Sequence, residues 1–353
     1  MKTPPLAVYG LAALVCLMTL SACGSAAPAK NTQQETVAEL PSWPSPPAPT
    51  RIRYLRSVSS AQDWGIEKSL FGRLLGALLG SGDEHFVRPS AVAEFQRVLY
   101  VADPGAQALW ILDGERQRLQ KVQRIGEVAL LSPVAVAVRP DGSVYLADSR
   151  LKTVFHLDRD GKLIDIAART GLERPTGLAY DAARQRLYVA DSTGQKIVVF
   201  APDATVVRSW GQAGMREGEF NYPTHLALDP EGTLLVTDAL NFRVQAFDAE
   251  GRYLWKFGRH GDGSGDVTSP KGVAFDRDGH VFVVDALFDA VQIFDRSGRF
   301  LLGFGEQGAK PGQFWLPGGI FINPRNEIYV ADAYNRRIQV LMVIPDSDVK
   351  ESP

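Results

Sequence analysis

Residues 223–257 read PTHLALDPEGTLLVTDALNFRVQAFDAEGRYLWKF, and this stretch decides the fold. It contains four short apolar runs separated by polar turns, two of which follow the pattern Asp-x-x-Gly. In such turns the aspartate accepts hydrogen bonds from backbone amides, and the glycine supplies a positive φ. The stretch therefore predicts four antiparallel strands, named a to d, at 224–228, 234–237, 243–247 and 253–257.

The same pattern occurs six times along the chain. A proline precedes each strand a, at Pro89, Pro133, Pro175, Pro223, Pro270 and Pro317. An aspartate ends each strand b, at Asp103, Asp148, Asp191, Asp238, Asp285 and Asp332, with spacings of 43 to 47 residues. Four-stranded repeats of this length are typical of β-propellers. We expect an all-β, six-bladed propeller over 51–345, with repeats near 86–130, 131–172, 173–219, 220–266, 267–313 and 314–343.

The way the ring closes follows from a strand that is missing. Repeats one to five each contain a strand d, whereas repeat six becomes polar after strand c, and 346–353 read as a tail. The apolar run 52–58 resembles the other d strands and has no repeat of its own. We expect this N-terminal strand to complete blade six, which leaves no open sheet edge.

Repeats four to six resemble the NHL-repeat family. Their d-to-a connections contain glycines spaced Gly-x-x-Gly-x-x-x-Gly, at 211–218, 258–265 and 305–312, and two b–c units share Asp-x-x-Asn-x-Arg, at 238–243 and 332–337. Repeats one to three lack the glycine connection, and repeat five departs from the pattern at Val267, Asp289 and Ala290. The resemblance covers 86–343 and implies a propeller that serves mostly as an interaction platform.

The first 50 residues read as an export signal and a tether. Lys2 precedes an apolar run at 6–20 that is too short to span a membrane comfortably. The run ends in Leu-Ser-Ala-Cys at 20–23, which resembles the lipobox of bacterial lipoproteins. This resemblance implies a signal peptide at 1–22 and a lipid on Cys23, and an ordinary secretory signal is the alternative. Residues 23–50 are proline-rich and predict a disordered tether.

Charge and cysteine content narrow the chemistry of the exported part. The formal net charge is −2 with no basic run, which argues against a nucleic-acid partner. The only cysteines are Cys16 and Cys23, so the mature part is expected to form no disulfide and no cysteine zinc site, and to need no cofactor.

Gly24 and Ser25 imply a lipid-anchored protein of the cell envelope, at the outer membrane if the source is Gram-negative. The closed ring predicts a monomer.

The most unusual residue near the predicted channel is His225. It lies two positions after the repeat proline, where the other repeats have alanine or glycine. The topology places it at the channel mouth on the top face, which we define as the face carrying the d–a and b–c connections. Thr176, Thr224 and Lys271 are its expected neighbours in a binding site. A lone histidine is more often structural than a ligand.

Five histidines without ligand spacing do not predict a metal site, and we assign no catalytic residue. Residues 61–87 replace one connection and contain apolar residues at helical spacing, which predicts one short amphipathic helix on the top face. That helix either packs on the propeller or docks a partner or the bilayer. The b–c loops add further top-face candidates, namely Arg150, Leu151, Leu240, Asn241, Leu287, Phe288, Tyr334, Asn335 and Arg336.

Two functions are compatible with these observations. The first is a non-catalytic scaffold that binds a protein or ligand of the cell envelope, because exposed aromatic, leucine and arginine side chains suit a protein contact. The second is a metal-dependent propeller hydrolase or lyase with a site at the channel near His225. The second would require several His, Asp or Glu side chains converging on the axis.

Overall fold

The computed structural model describes residues 40–45, 47–67 and 85–345. Within these ranges the chain forms six antiparallel sheets of four or five strands and one two-stranded hairpin, which confirms the all-β, six-bladed propeller. Strand a of each blade contacts strand a of the next, and strand a of blade six contacts that of blade one, so the inner strands form a closed ring. None of the helices in these ranges has the length and hydrophobicity needed to cross a bilayer.

The strands follow the predicted order a to d in every blade. Blade one contains Ala91–Phe95, Val98–Asp103, Ala108–Asp113 and Arg118–Val122; blade two, Pro133–Val138, Val144–Asp148, Thr153–Leu157 and Leu163–Ala168; blade three, Pro175–Asp181, Arg186–Asp191, Lys196–Phe200 and Val206–Trp210; blade four, Pro223–Leu228, Leu234–Asp238, Arg243–Phe247 and Tyr253–Phe257; blade five, Pro270–Phe275, Val281–Asp285, Ala290–Phe294 and Phe300–Phe304; blade six, Ile320–Ile322, Glu327–Asp332, Arg337–Val343 and Ile52–Val58. Short additions are the strand Ser42–Trp43, the hairpin Arg124–Ile125 with Val128–Ala129, and the 3₁₀ turns Gln62–Trp64 and Ala239–Asn241.

Strands b and c are buried along almost their whole length and are mainly apolar, with a few hydrogen-bonded polar residues. Every residue of Leu234–Asp238 and of Arg243–Phe247 is buried, because each blade is covered by a neighbour on both faces. Strand d lies at the outer rim and alternates, as in Tyr253–Phe257, where exposed and less exposed residues follow one another. The pattern of apolar and polar residues in a strand therefore indicates whether the strand lies inside the blade or at its outer rim.

The sixth blade is assembled from both ends of the chain. Ile52–Val58 pairs antiparallel with Arg337–Val343, with Ile52 opposite Val343 and Val58 opposite Ile338. Ser42–Trp43 then adds a fifth strand outside Ile52–Val58. Ile52 is buried in a cluster with residues of blades five and six, so the two chain ends share a hydrophobic core.

The six repeat aspartates are fully buried and hold the top face together. Asp148 accepts one amide hydrogen bond from Leu131 in the preceding connection, at 2.7 Å, and one from Leu151 in its own b–c turn, at 3.0 Å. Asp285 does the same with Thr268, at 2.6 Å, and Leu287, at 3.0 Å. Each carboxylate therefore joins two loops.

Blades four and six add a buried arginine to this arrangement. Arg337 donates from Nε to Asp332 at 2.7 Å, and its Nη atoms donate to the carbonyl oxygens of Ala309, Lys310 and Gln313. Arg243 repeats this geometry against Asp238. The guanidinium thus fixes the glycine connection that precedes its own blade, which gives a physical reason for the Asn-x-Arg and glycine motifs occurring together.

The described N-terminal residues show that the tether is shorter than expected. Residues 42 and 43 lie in a predicted disordered tether, yet Ser42–Trp43 pairs as a strand and the Trp43 ring lies 5.6 Å from that of Phe304. An apolar indole on the blade five–blade six seam orders this part of the tether. The signal peptide at 1–22 and Cys23 lie outside the described residues.

The insertion at 61–87 also does not follow its expected course along the top face. The Trp64 indole donates to the carbonyl of Arg97, and the Glu67 amide donates to Gln117. Arg97 and Gln117 belong to the a–b and c–d turns of blade one, which lie on the bottom face, opposite the top face. Residues 61–67 therefore run down the seam between blades six and one, where Trp64 and Ile66 are buried. The predicted helix falls mainly on 68–84, outside the described residues.

The contribution of the closing strand can be measured with one pair of substitutions. Ile52→Ala should lower the free energy of unfolding by about 2–5 kcal/mol, because it removes a buried side chain from the joint core. Arg53→Ala, at the exposed neighbouring position of the same strand, is the control. Urea denaturation of both variants tests this, and equal small losses would show that the closing strand contributes little.

The buried arginine clamp predicts a large stability effect. Arg337→Met should cost about 3–5 kcal/mol of unfolding free energy, because it leaves the Asp332 carboxylate buried without its cation. Arg299→Met removes an exposed arginine that pairs with Asp295 through the same atoms, and should change stability far less. Similar losses for the two variants in urea denaturation would refute the clamp.

Candidate functional site

The channel mouth is shaped by how closely the inner strands approach. A Cβ added at Gly177 of blade three would lie 2.5 Å from the carbonyl oxygen of Thr224 in blade four, so only glycine fits there. Blade four has His225 at the equivalent position. Below this level the channel is lined by apolar strand a residues of all six blades, around a cavity of about 220 Å³. His225 and its polar neighbours therefore stand at the entrance of a channel lined by apolar strand a residues.

The His225 ring is held neutral by its surroundings. Its Nδ1 lies 3.1 Å from the Thr224 hydroxyl, which is the ring's hydrogen-bonding partner among the described residues. Burial within the ring of strands, together with the positive charge of Lys271, lowers the pKa of His225 to about 3. At neutral pH the imidazole thus offers a hydrogen bond without a charge.

Lys271 supplies the positive charge of the mouth. Its backbone carbonyl accepts a hydrogen bond from Thr237 at 2.8 Å, which fixes the residue against blade four. Within the described ranges its ammonium makes no hydrogen bond or ion pair. Burial lowers the pKa of Lys271, and the negative charge of Asp285 offsets part of this effect. An ammonium without a partner beside a neutral imidazole favours an anionic group as ligand.

The Thr176 hydroxyl is less available for binding a ligand than the sequence predicted. Its hydroxyl lies 2.5 Å from that of Ser192 and 3.4 Å from the carbonyl of Pro223, so it joins blade three to blade four. Among the residues that the structure describes, the mouth therefore contains two groups that can take a further hydrogen bond, the Lys271 ammonium and the His225 Nε2 atom.

One group in the described ranges has the geometry to hold a metal ion, and it is not at the mouth. The ligand atoms of Asp276, Asp278 and His280 lie within 4.8 Å of one another. These residues form the a–b turn of blade five, which lies on the bottom face. At the mouth, the positive charge of Lys271 next to His225 disfavours the binding of a metal cation.

Around the mouth, the top face of blades four to six carries exposed apolar side chains. Leu287 is 61% exposed and Met215 is 77% exposed, and Leu240, Trp315 and Tyr334 are each about half exposed. The rings of Trp315 and Tyr334 lie 5.5 Å apart. We call these five residues the apolar rim. The five residues lie on loops of three consecutive blades at one face, and large exposed apolar side chains on one face are typical of a contact surface.

The other b–c candidates divide into structural and surface residues. The side-chain amides of Asn241 and Asn335 donate to the carbonyls of Gly214 and Gly308, at 2.8 and 2.7 Å, and to the neighbouring aspartates. They are used within the fold and are removed from the candidate site. Phe288 is half-buried, and Arg336 and Arg150 are exposed, the latter on distant blade two.

Met215 and Trp315 were missed by the sequence analysis. Both occupy positions of the d–a connection where the sister repeats have other residue types, Asp262 and Ala309 in place of Met215, and Asn221 and Thr268 in place of Trp315. A large apolar residue at a connection position that is mostly small or polar was the available signal.

Comparison with known families agrees with this architecture. Residues 314–341 match the NHL repeat model, which confirms the resemblance seen in the motifs, and residues 88–256 match the model of the SMP-30/Gluconolactonase/LRE-like region. The gluconolactonase of Zymomonas mobilis is 29% identical over 164 residues, which cover 39% of this chain and 46% of that protein. The chain thus spans less than half the length of this curated relative.

Solved structures show the same fold at low identity. Virginiamycin B lyase from Staphylococcus aureus aligns with a TM-score of 0.55 and 15% identity, over 73% of this chain and 96% of that one. An auxiliary nutrient binding protein from Bacteroides thetaiotaomicron aligns with a TM-score of 0.57 and 13% identity, over 72% and 69% of the two chains. Propellers similar to this chain therefore include both enzymes and binding proteins.

The state of His225 predicts a pH effect on stability. Its folded pKa of about 3 lies below the ordinary value of 6.5, so between these values the unfolded chain binds a proton that the folded chain does not. Stability is therefore lost as the pH falls through this window. We expect His225→Gln to lose less unfolding free energy between pH 7 and pH 4 than the parent, in urea titrations at both pH values. His260→Gln, at an exposed connection, should follow the parent, and identical losses in all three proteins would contradict the assignment.

Proposed function

We propose that this six-bladed propeller with NHL-type repeats is a membrane-anchored, extracytoplasmic scaffold that binds a protein partner through the top face of blades four to six. The observation that carries the proposal is the apolar rim, whose five large side chains are about half exposed or more. Such a group of exposed aromatic and aliphatic residues is typical of protein-binding surfaces. The rim also lies on rigid loops, because buried aspartates and arginines fix the connections that carry it.

The polar groups at the channel mouth indicate what the partner must present there. Among the described residues the Lys271 ammonium has no partner, and His225 is a neutral hydrogen-bonding group beside it. A loop or chain end that presents a carboxylate at the mouth, flanked by apolar side chains on the rim, would satisfy both features. We therefore propose a partner with an acidic residue next to an apolar segment.

The proposed location rests on the N-terminal sequence. The Leu-Ser-Ala-Cys motif at 20–23 supports a lipid on Cys23, and Gly24 and Ser25 support an outer-membrane destination in a Gram-negative cell. The propeller would then act as a monomer held near the membrane by residues 23–39. The auxiliary nutrient binding protein shows that a propeller of this kind can serve binding in another organism.

The second candidate is a metal-dependent hydrolase or lyase at the channel near His225. The match of residues 88–256 to the gluconolactonase-like region favours it. The geometry of the mouth supports it less, because Lys271 places a positive charge beside the histidine and the metal-capable group lies on the bottom face. We therefore place the scaffold first.

In-cell cross-linking tests the scaffold. A photoreactive amino acid at position 334 of the tagged full-length protein, expressed at native abundance, should capture a recurrent protein partner identified by mass spectrometry. Leu287→Asp should reduce this capture by about tenfold or more, because it charges the centre of an apolar contact. Leu254→Asp, at an exposed position of strand d in blade four, is the matched control and should leave capture unchanged.

The opposite outcome favours the enzyme. If no partner is captured, or if both aspartate variants reduce capture equally, the scaffold is wrong. A tightly bound metal in elemental analysis, together with lactone hydrolysis that His225→Ala abolishes, would then support the second candidate.

A further inference from the structure

A cavity outside the channel lies in the seam between blades five and six on the bottom face. Its volume is about 410 Å³, within the range of small-molecule sites. Its apolar wall is formed by Phe282, Ile293 and Leu302 of blade five and by Ile52 and Val343 of blade six. Neither the top-face scaffold nor the channel uses this space.

The cavity exists because blade six is closed without a covalent c–d turn. In blades four and five the glycine of the c–d turn packs against strand d of the preceding blade. A Cβ on Gly251 would lie 2.7 Å from Trp210, and one on Gly298 would lie 2.5 Å from Phe257. In blade six, two separate segments stand where this turn would be, joined by a hydrogen bond of 2.8 Å from the Ile344 amide to the Arg51 carbonyl. The outer part of blade five therefore lacks the turn that covers its counterparts.

The edge of the cavity is acidic. Asp276 is buried and accepts amide hydrogen bonds from Asp278 and His280 on Oδ1, and the His280 Nδ1 proton on Oδ2 at 2.8 Å. This leaves the Nε2 atom of His280 as an acceptor. The exposed carboxylate of Asp278 has no hydrogen bond or ion pair among the described residues. Arg51 also lines the cavity, so two carboxylates and one guanidinium border it.

We infer that this cavity binds a small hydrophobic amine, with the apolar body against Phe282, Ile293 and Leu302 and the ammonium on Asp278 and His280. Charge complementarity selects a cation over an anion. Both Asp276 oxygens already accept hydrogen bonds within the a–b turn, so a metal ion held by Asp276, Asp278 and His280 would compete with these bonds, whereas an ammonium on Asp278 and His280 would leave them intact. The site is independent of the proposed top-face function.

A matched series of three probes tests this inference on the purified full-length chain. Phenylbutylamine, phenylbutanol and phenylbutyrate share one apolar body and differ in the charge of the end group. Isothermal titration calorimetry should show the amine binding about tenfold more tightly than the alcohol, since a charge-assisted hydrogen bond is added. The carboxylate should bind most weakly.

Two variants locate the site. Asp278→Asn should remove the tenfold preference for the amine over the alcohol, whereas Asp262→Asn, at an exposed position on the top face, should preserve it. Leu302→Trp fills the cavity and should abolish binding of all three probes while leaving the circular-dichroism melting curve cooperative. The inference is overturned if the amine does not bind, if the three probes bind equally, if Asp278→Asn leaves the preference intact, or if zinc binds at Asp278 and His280 in place of the amine.

Discussion

Each blade depends on one carboxylate that is removed from water. The aspartate at the end of strand b accepts amide hydrogen bonds from two loops that are far apart in sequence, its own b–c turn and the connection before strand a. A buried charge is costly unless it is fully hydrogen-bonded, so this residue tolerates little change in either loop. The top face is rigid for this reason, even though it is made of turns.

Different blades use different residues to hydrogen-bond this buried carboxylate and to fix the neighbouring connections. Blades four and six surround the carboxylate with arginine, glutamine and asparagine, which also bind the carbonyl groups of the glycine connection. Blade five has Ala290 in place of the arginine, and its Asp289 instead accepts the Leu316 amide of the next connection at 2.6 Å. Burial raises the pKa of Asp289, in keeping with a carboxylate used inside the fold. The unusual residue Asp289 of repeat five therefore links blade five to blade six. The apolar rim lies on the connections that these polar residues fix.

Much of the fold could be predicted because proline and aspartate recur at a near-constant spacing. The sequence could not reveal which polar residues the fold uses itself. Asn241 and Asn335 looked available for a ligand, yet their amides hold carbonyl groups of the neighbouring connection. Met215 and Trp315 were overlooked because their exposure follows from loop geometry and not from periodicity. The path of 61–67 depended on the packing of Trp64 between two blades, a tertiary contact without a local sequence signal. His225, by contrast, was found as an exception within a repeat, and Lys271 as one of its expected neighbours.

The non-covalent closure of blade six also has a mechanical meaning. Any pull on the N-terminus reaches the propeller at Ser42–Trp43 and passes into Ile52–Val58, which is held to Arg337–Val343 by a ladder of backbone hydrogen bonds. A force along the strand loads these bonds together, in shear, whereas a force perpendicular to it would open them one at a time. The direction in which the protein is pulled would thus decide how much tension the ring withstands before it opens at this seam.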